Sequence, residues 1–142
     1  MTKHFLILIS MLSFGSLFSQ NHNLELYITN CRTTGGNLKI AAFKGEHDFK
    51  TKENASFRKS VEANDSSLLI HLWKIPKGKY AIAVFHDQNN DNKLNTNDIG
   101  IPSEGFGFSG NYSILKKPKF KDCSFELSSD TSIIINMHYL WN

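Results

Sequence analysis

Residues 24–29 read Leu-Glu-Leu-Tyr-Ile-Thr, and their alternation decides the fold. Leu24, Leu26 and Ile28 fall on one face of an extended chain and Glu25, Tyr27 and Thr29 on the other. That is the period-two pattern of a half-buried strand, not the 3.6 of a helix. Thr33-Thr34-Gly35-Gly36 is turn chemistry, and Leu38, Ile40 and Ala42 then open a second alternating run, so the two read as an antiparallel hairpin. Leu68, Ile70 and Leu72 share one face of a further strand. After the turn Lys74-Ile75-Pro76-Lys77-Gly78, where Pro sets φ and Gly frees it, Tyr80 to Phe85 is continuously apolar. Such a strand is expected to be central and covered on both faces. Phe57 to Ala63 reads as a short polar strand, residues 44–56 as a polar loop, and residues 86–122 carry no strand pattern. Ser124 to Leu127 and Ser132 to Leu140 read as a last strand pair around Ser128-Ser129-Asp130. With no long helical pattern, about seven short strands make an all-β chain, an antiparallel β-sandwich of immunoglobulin-like or transthyretin-like type. An outer-membrane barrel needs strands of about nine to eleven residues and aromatic girdles; most runs here are shorter.

Residues 1–20 have the order of a signal peptide: Lys3, then an apolar run from Phe5 to Phe18, small residues near Ser19, and polar Gln20-Asn21-His22. The run is short and broken by Ser and Gly, which argues against a membrane-spanning helix. Residues 21–142 then form one domain, large enough to bury a core without staples. The chain is expected to be exported to the periplasm, the cell surface or the medium, with no integral span after cleavage. Its net charge of +3 includes Lys3, so the domain is nearly balanced and nucleic-acid binding is not implied. In an oxidising compartment Cys31 and Cys123 are candidates for a disulfide, with two separate buried thiols as the alternative.

The most specific segment runs from Asp87 to Asp98: Asp-Gln-Asn-Asn-Asp-Asn-Lys-Leu-Asn-Thr-Asn-Asp. Calcium needs six to eight hard oxygen ligands around one point, and a coiled loop offers them at alternate residues. Asp87, Asn89 and Asp91 supply the first three, Lys93 its backbone carbonyl, Asn95 a direct or water-mediated oxygen, and Asp98 the closing carboxylate. Leu94 is expected to turn inward and tie the loop to the core. The sharp turn at the sixth position normally takes Gly; here it is Asn92, one of the few other residues that accept a left-handed φ. The oxygen-only set favours calcium over zinc, and strands instead of helices on the flanks make the ion a structural clip, not a switch. A solvated Asn/Asp turn is the plain alternative.

Gly78 to Asp87, the loop, and Gly100-Ile101-Pro102-Ser103-Glu104-Gly105-Phe106-Gly107-Phe108-Ser109 together resemble a family of exported bacterial proteins catalogued as domain of unknown function 2141. Pro118 to Asp122 fits the same pattern. The resemblance implies a transthyretin- or carboxypeptidase-regulatory-type sandwich and brings no established activity. The family usually has Gly at the place of Asn92 and Asp at that of Asn95, which implies a lower metal affinity here.

Two functional classes follow. Phe106, Phe108, Tyr112 and Phe120, in a Gly-rich stretch, offer rings for a cell-surface glycan or a protein, unless they fold back over the end of the sandwich. Lys116, Lys117, Lys119 and Lys121 form a basic cluster beside them, more often a solvated face than an anion site. A hydrolase built on His86 and Ser109 is the alternative, but no Gly-x-Ser-x-Gly elbow and no complete nucleophile–base arrangement is present, so no catalytic residue is assigned. The expected function is that of a calcium-stabilised binding or accessory module.

Overall fold

Alternation puts a row of branched apolar side chains on one face of most strands, and two such faces closing on each other build the molecule. The computed structural model describes residues 20–141; the expected signal peptide lies outside them except for Gln20. The strands are β1 (Asn21–Thr29), β2 (Asn37–Phe43), β3 (Phe57–Glu62), β4 (Leu68–Pro76), β5 (Gly78–Asp87), β6 (Phe106–Phe108), β7 (Ser124–Leu127) and β8 (Thr131–Asn136), with two short helices, α1 (Glu46–Thr51) and α2 (Phe120–Cys123). One sheet has the order β4-β1-β8; the other runs β3-β2-β5-β6, with β7 also paired to β5. The chain is thus an all-β sandwich of two sheets. Leu24, Leu26 and Ile28 of β1 pack with Ile70, Leu72 and Ile135 from their own sheet. Opposite them in the same core stand Leu38, Ile40, Tyr80, Ile82, Val84 and Leu127.

Two expected pairings are corrected. β1 and β2 are not a hairpin: β1 pairs with β4 and β8, and β2 with β3 and β5. The 30–36 connection carries the chain from one sheet to the other, so the apolar faces of β1 and β2 meet across the core instead of lying side by side. The same happens at Ser128–Asp130. There β7 stays with β5, while β8 crosses to lie beside β1 in parallel, with Leu24 opposite Thr131 and Ile28 opposite Ile135. Alternation specifies which face is buried, and both arrangements bury the same face.

Residues 44–56, read as a loop, contain α1. Its single apolar residue, Phe49, is fully buried, and one apolar position in six leaves no helical period to read. Phe49 packs edge-on against Phe43, Phe108 and Phe120 at 5.9, 5.8 and 6.1 Å. With Ala81 and Cys123 they form a second cluster, on the outer face of the larger sheet. β5 is therefore covered on both faces at Ala81 and again at Asp87, while Ala83 and Phe85 between them on its outer side are half-exposed. The 86–122 stretch, expected to lack strands, contributes β6, which pairs with β5 through Phe85–Phe106 and Ala83–Phe108.

Candidate functional site

The loop begins where β5 ends, and Asp87, the last residue of the strand, is fully buried. Its carboxylate accepts the backbone N–H of Asp91 at 3.0 Å and of Asn92 at 3.1 Å. Asn89 Oδ1 accepts the same Asp91 N–H at 3.2 Å, and Asp91 Oδ1 accepts the Lys93 N–H at 2.9 Å. These are successive Asx turns, in which a short side chain oxygen takes an amide further along and coils the backbone inward. Asn90 and Asn92 adopt φ of 60° and 63°, so the sixth position has the left-handed turn that its Asn was expected to tolerate.

The Asn89 and Asn95 side-chain amides both donate to Asp91 Oδ2, at 3.2 and 3.0 Å. Those bonds, Asn95 first and then the Lys93 N–H, hold the Asp91 carboxyl below the usual range. Asn95 Oδ1 is buried and has no hydrogen-bond partner. An orphaned acceptor of this kind is rare in folded proteins, and here it sits among carboxylates. Asp87, Asn89, Asp91 and Asn95 therefore form a coiled, oxygen-rich set of a kind that suits a hard cation. No three His, Cys, Asp or Glu side chains gather to hold a metal among the described residues.

Asp98 is the residue expected to close the loop. It lies exposed on a turn that Asn97 builds, Asn97 Oδ1 accepting the N–H groups of Ile99 and Ile101 at 3.1 and 2.9 Å. A further carboxylate, that of Glu104, binds the backbone of the coil. It is 6% exposed, and its two oxygens accept the N–H of Gln88 at 2.9 Å and of Asn95 at 3.0 Å. Glu104 clamps the entry and exit of the coil, a role no loop spacing predicts. The motif in which it stands was the only signal. Leu94 also departs from expectation: it is 36% exposed and faces a hollow on the outer side of the larger sheet.

Two contacts from β2 fix the loop laterally. Asn37 Nδ2 donates to Asn90 Oδ1 at 2.7 Å, and Lys39 Nζ donates to Asn92 Oδ1 at 2.8 Å while standing 3.6 Å from Asp87 Oδ2. Gly36 makes room for the root of the loop: at φ +79°, a Cβ there would lie 2.2 Å from the Asp87 carbonyl oxygen.

His86 and Ser109 are both fully buried and both hold the scaffold. His86 Nε2 is 2.7 Å from the Gly35 carbonyl and Nδ1 is 2.9 Å from the Tyr139 hydroxyl. A carbonyl only accepts, so Nε2 carries a proton and donates it to Gly35. Ser109 Oγ accepts the Ile82 N–H at 2.8 Å and donates to the Cys123 carbonyl.

Cys31 and Cys123 are free thiols in two different clusters, one on each side of the larger sheet, so the disulfide is not formed. Burial pushes both thiols up, Cys123 to about 11. The four candidate binding rings fold back: Phe106 is buried, and Phe108, Tyr112 and Phe120 pack into the outer-face cluster, with Tyr112 edge-on to Phe108 at 5.1 Å.

The family model described as "Uncharacterized protein conserved in bacteria (DUF2141)" matches residues 26–135. The chain belongs to that family. The match runs from β1 through β8 and takes in the whole loop and its Glu104 clamp. No curated protein and no solved structure matches the chain. No helix among the described residues is long and apolar enough to cross a membrane.

Proposed function

We propose that this family member is an exported binding or accessory module whose 87–104 loop is ordered by one calcium ion. The observation that carries the calcium reading is Asn95 Oδ1, a buried acceptor without a donor inside a coil of carboxylate and amide oxygens. Asp87, Asn89, Asp91, the Lys93 carbonyl and Asn95 would hold the ion, and Glu104 would hold the backbone around it. The ion supplies positive charge to an acidic coil and does no chemistry. Lys39 already places one ammonium near Asp87, so a modest affinity is expected, in the range of about 0.1 to 1 mM found for extracellular sites.

Export rests on residues 1–20. Binding, not catalysis, is favoured because His86 and Ser109 are buried in structural hydrogen bonds and do not face each other. The test is thermal unfolding of chelator-treated protein with added calcium. At about 10 mM calcium and a Kd of about 0.5 mM, linkage gives about 1.8 kcal/mol, which raises Tm by about 5 °C for a domain of this size. Superimposed melts with and without calcium would remove the ion from the account. Mass spectrometry of the exported protein, expected to begin near Asn21, tests the leader; an intact Met1 terminus would contradict it.

A further inference from the structure

The outer face of the larger sheet is only half covered. Beyond the Phe43–Phe49–Cys123 cluster, the sheet opens into a cavity of about 680 Å3, within the usual range for small-molecule sites. The hollow has a sequence cause. Ala41 and Ala83 stand opposite each other on β2 and β5, with Arg58 beyond on β3 and Phe108 beyond on β6. Two methyl side chains thus make a floor between a guanidinium and an aromatic ring. Phe85 and Phe106 form the neighbouring row, and Asn92, Lys93 and Leu94 of the loop wall the far end.

The charge on this lining is one-sided. Lys39, Lys52, Arg58, Lys59 and Lys93 contribute to it, and no Asp or Glu does, although the whole chain is nearly balanced. Of these, Lys39 already has partners in Asp87 and Asn92, Lys59 has one in the His71 carbonyl at 3.2 Å, and Lys52 gives one N–H to the Phe49 carbonyl and keeps two more. Arg58 gives one N–H to the Lys52 carbonyl at 3.0 Å and keeps other donors of its fork. Lys52 Nζ lies 3.6 Å from the centre of the Phe49 ring and 5.3 Å from that of Phe108. Desolvation lowers its pKa to about 8, and a neighbouring anion would raise it again. The floor has few groups to meet sugar hydroxyls, which argues for an apolar body.

We propose that this hollow binds a free fatty-acid anion, its chain on the Ala41–Ala83 floor against Phe85 and Phe108 and its carboxylate at the Arg58–Lys52 rim. The inference rests on the binding-module reading and names its ligand class; it does not depend on calcium. The experiment is calorimetric titration of the whole exported protein with dodecanoate below its micellar concentration. Dodecanol, acetate and phosphatidylglycerol vesicles serve as comparators. Saturable one-to-one binding of dodecanoate is expected, with dodecanol weaker and acetate silent. Ala83→Phe fills the floor, and Arg58→Glu reverses the rim on an exposed edge-strand residue that the core does not need. Each is expected to weaken dodecanoate about tenfold or more, with the circular dichroism of the native sheet retained. Equal binding to wild type and Arg58→Glu, or no binding at all, overturns the proposal. Uptake onto anionic vesicles without binding of free dodecanoate also overturns it and makes the face a membrane contact. A glycan or protein ligand found alongside inert dodecanoate overturns this inference and leaves the module reading standing.

Discussion

Glu104 is the residue whose removal tests the loop architecture most sharply. Its two oxygens accept backbone N–H groups from both limbs of the coil, at 2.9 and 3.0 Å, at 6% exposure. Hydrogen bonds to a charged group contribute about 1.5–3 kcal/mol each, and a buried donor left unpaired keeps its full desolvation cost. Glu104→Ala removes both bonds, so a loss of about 3–5 kcal/mol is expected, a large share of the 5–15 kcal/mol typical of a domain. Glu104→Gln separates bonding from charge. Its amide retains one acceptor oxygen and turns an NH2 toward the second N–H, so about half of the loss should remain. The assay is urea unfolding in chelator. With a slope of about 1.5 kcal/mol/M, the midpoint falls by about 2–3 M for the Ala variant and about 1–1.5 M for the Gln variant. Repulsion among Asp87, Asp91 and Glu104 predicts the reverse for Gln. A Gln variant as stable as the wild type, or more so, refutes the clamp.

Three further outcomes follow from named contacts. Gly36→Ala should cost about 3 kcal/mol or more by urea unfolding, since its Cβ meets the Asp87 carbonyl, whereas Gly35→Ala, with open space around it, should cost only the left-handed φ, about 1–2 kcal/mol; equal costs would remove the close approach as the cause. Lys52 ionises near 8 in the folded chain against 10.5 in the unfolded one. Between those values the unfolded state holds more protons, so this residue's contribution to stability rises with pH. The midpoint of the wild type minus that of Lys52→Met should therefore climb across that window, and a flat difference would contradict the desolvation of this ammonium over the Phe49 ring. Asn95→Asp adds a carboxylate to the coil while removing a donor to Asp91, so it should tighten calcium about fivefold and lower stability in chelator; tighter binding with unchanged chelator stability would dispute the Asn95–Asp91 bond.

The sequence made some of this legible and hid the rest for physical reasons. Period-two alternation marked β1, β2 and β4 because each presents one face to the core, and a continuous apolar run marked β5. It did not reveal partners, since β1 buries Leu24, Leu26 and Ile28 equally well beside β2 or across from it. The coil from Asp87 to Asn95 could be read because each Asx turn is local, an oxygen reaching an amide two to five residues along. Glu104 closes that coil through an irregular excursion past Asn97 and Ser103, so no short-range spacing announces it. α1 escaped notice because Phe49 alone anchors it. Cys31 and Cys123 share a compartment but lie on opposite sides of the larger sheet, a separation that composition cannot register.

The central claim is that the coil holds one calcium ion, and equilibrium uptake of calcium by chelator-stripped protein tests it most directly. One ion per chain is expected, half-saturating at about 0.1–1 mM, and Asp91→Asn should abolish the uptake. Absence of saturable uptake up to about 10 mM, an order of magnitude beyond that range, or uptake undiminished in Asp91→Asn, would contradict the account.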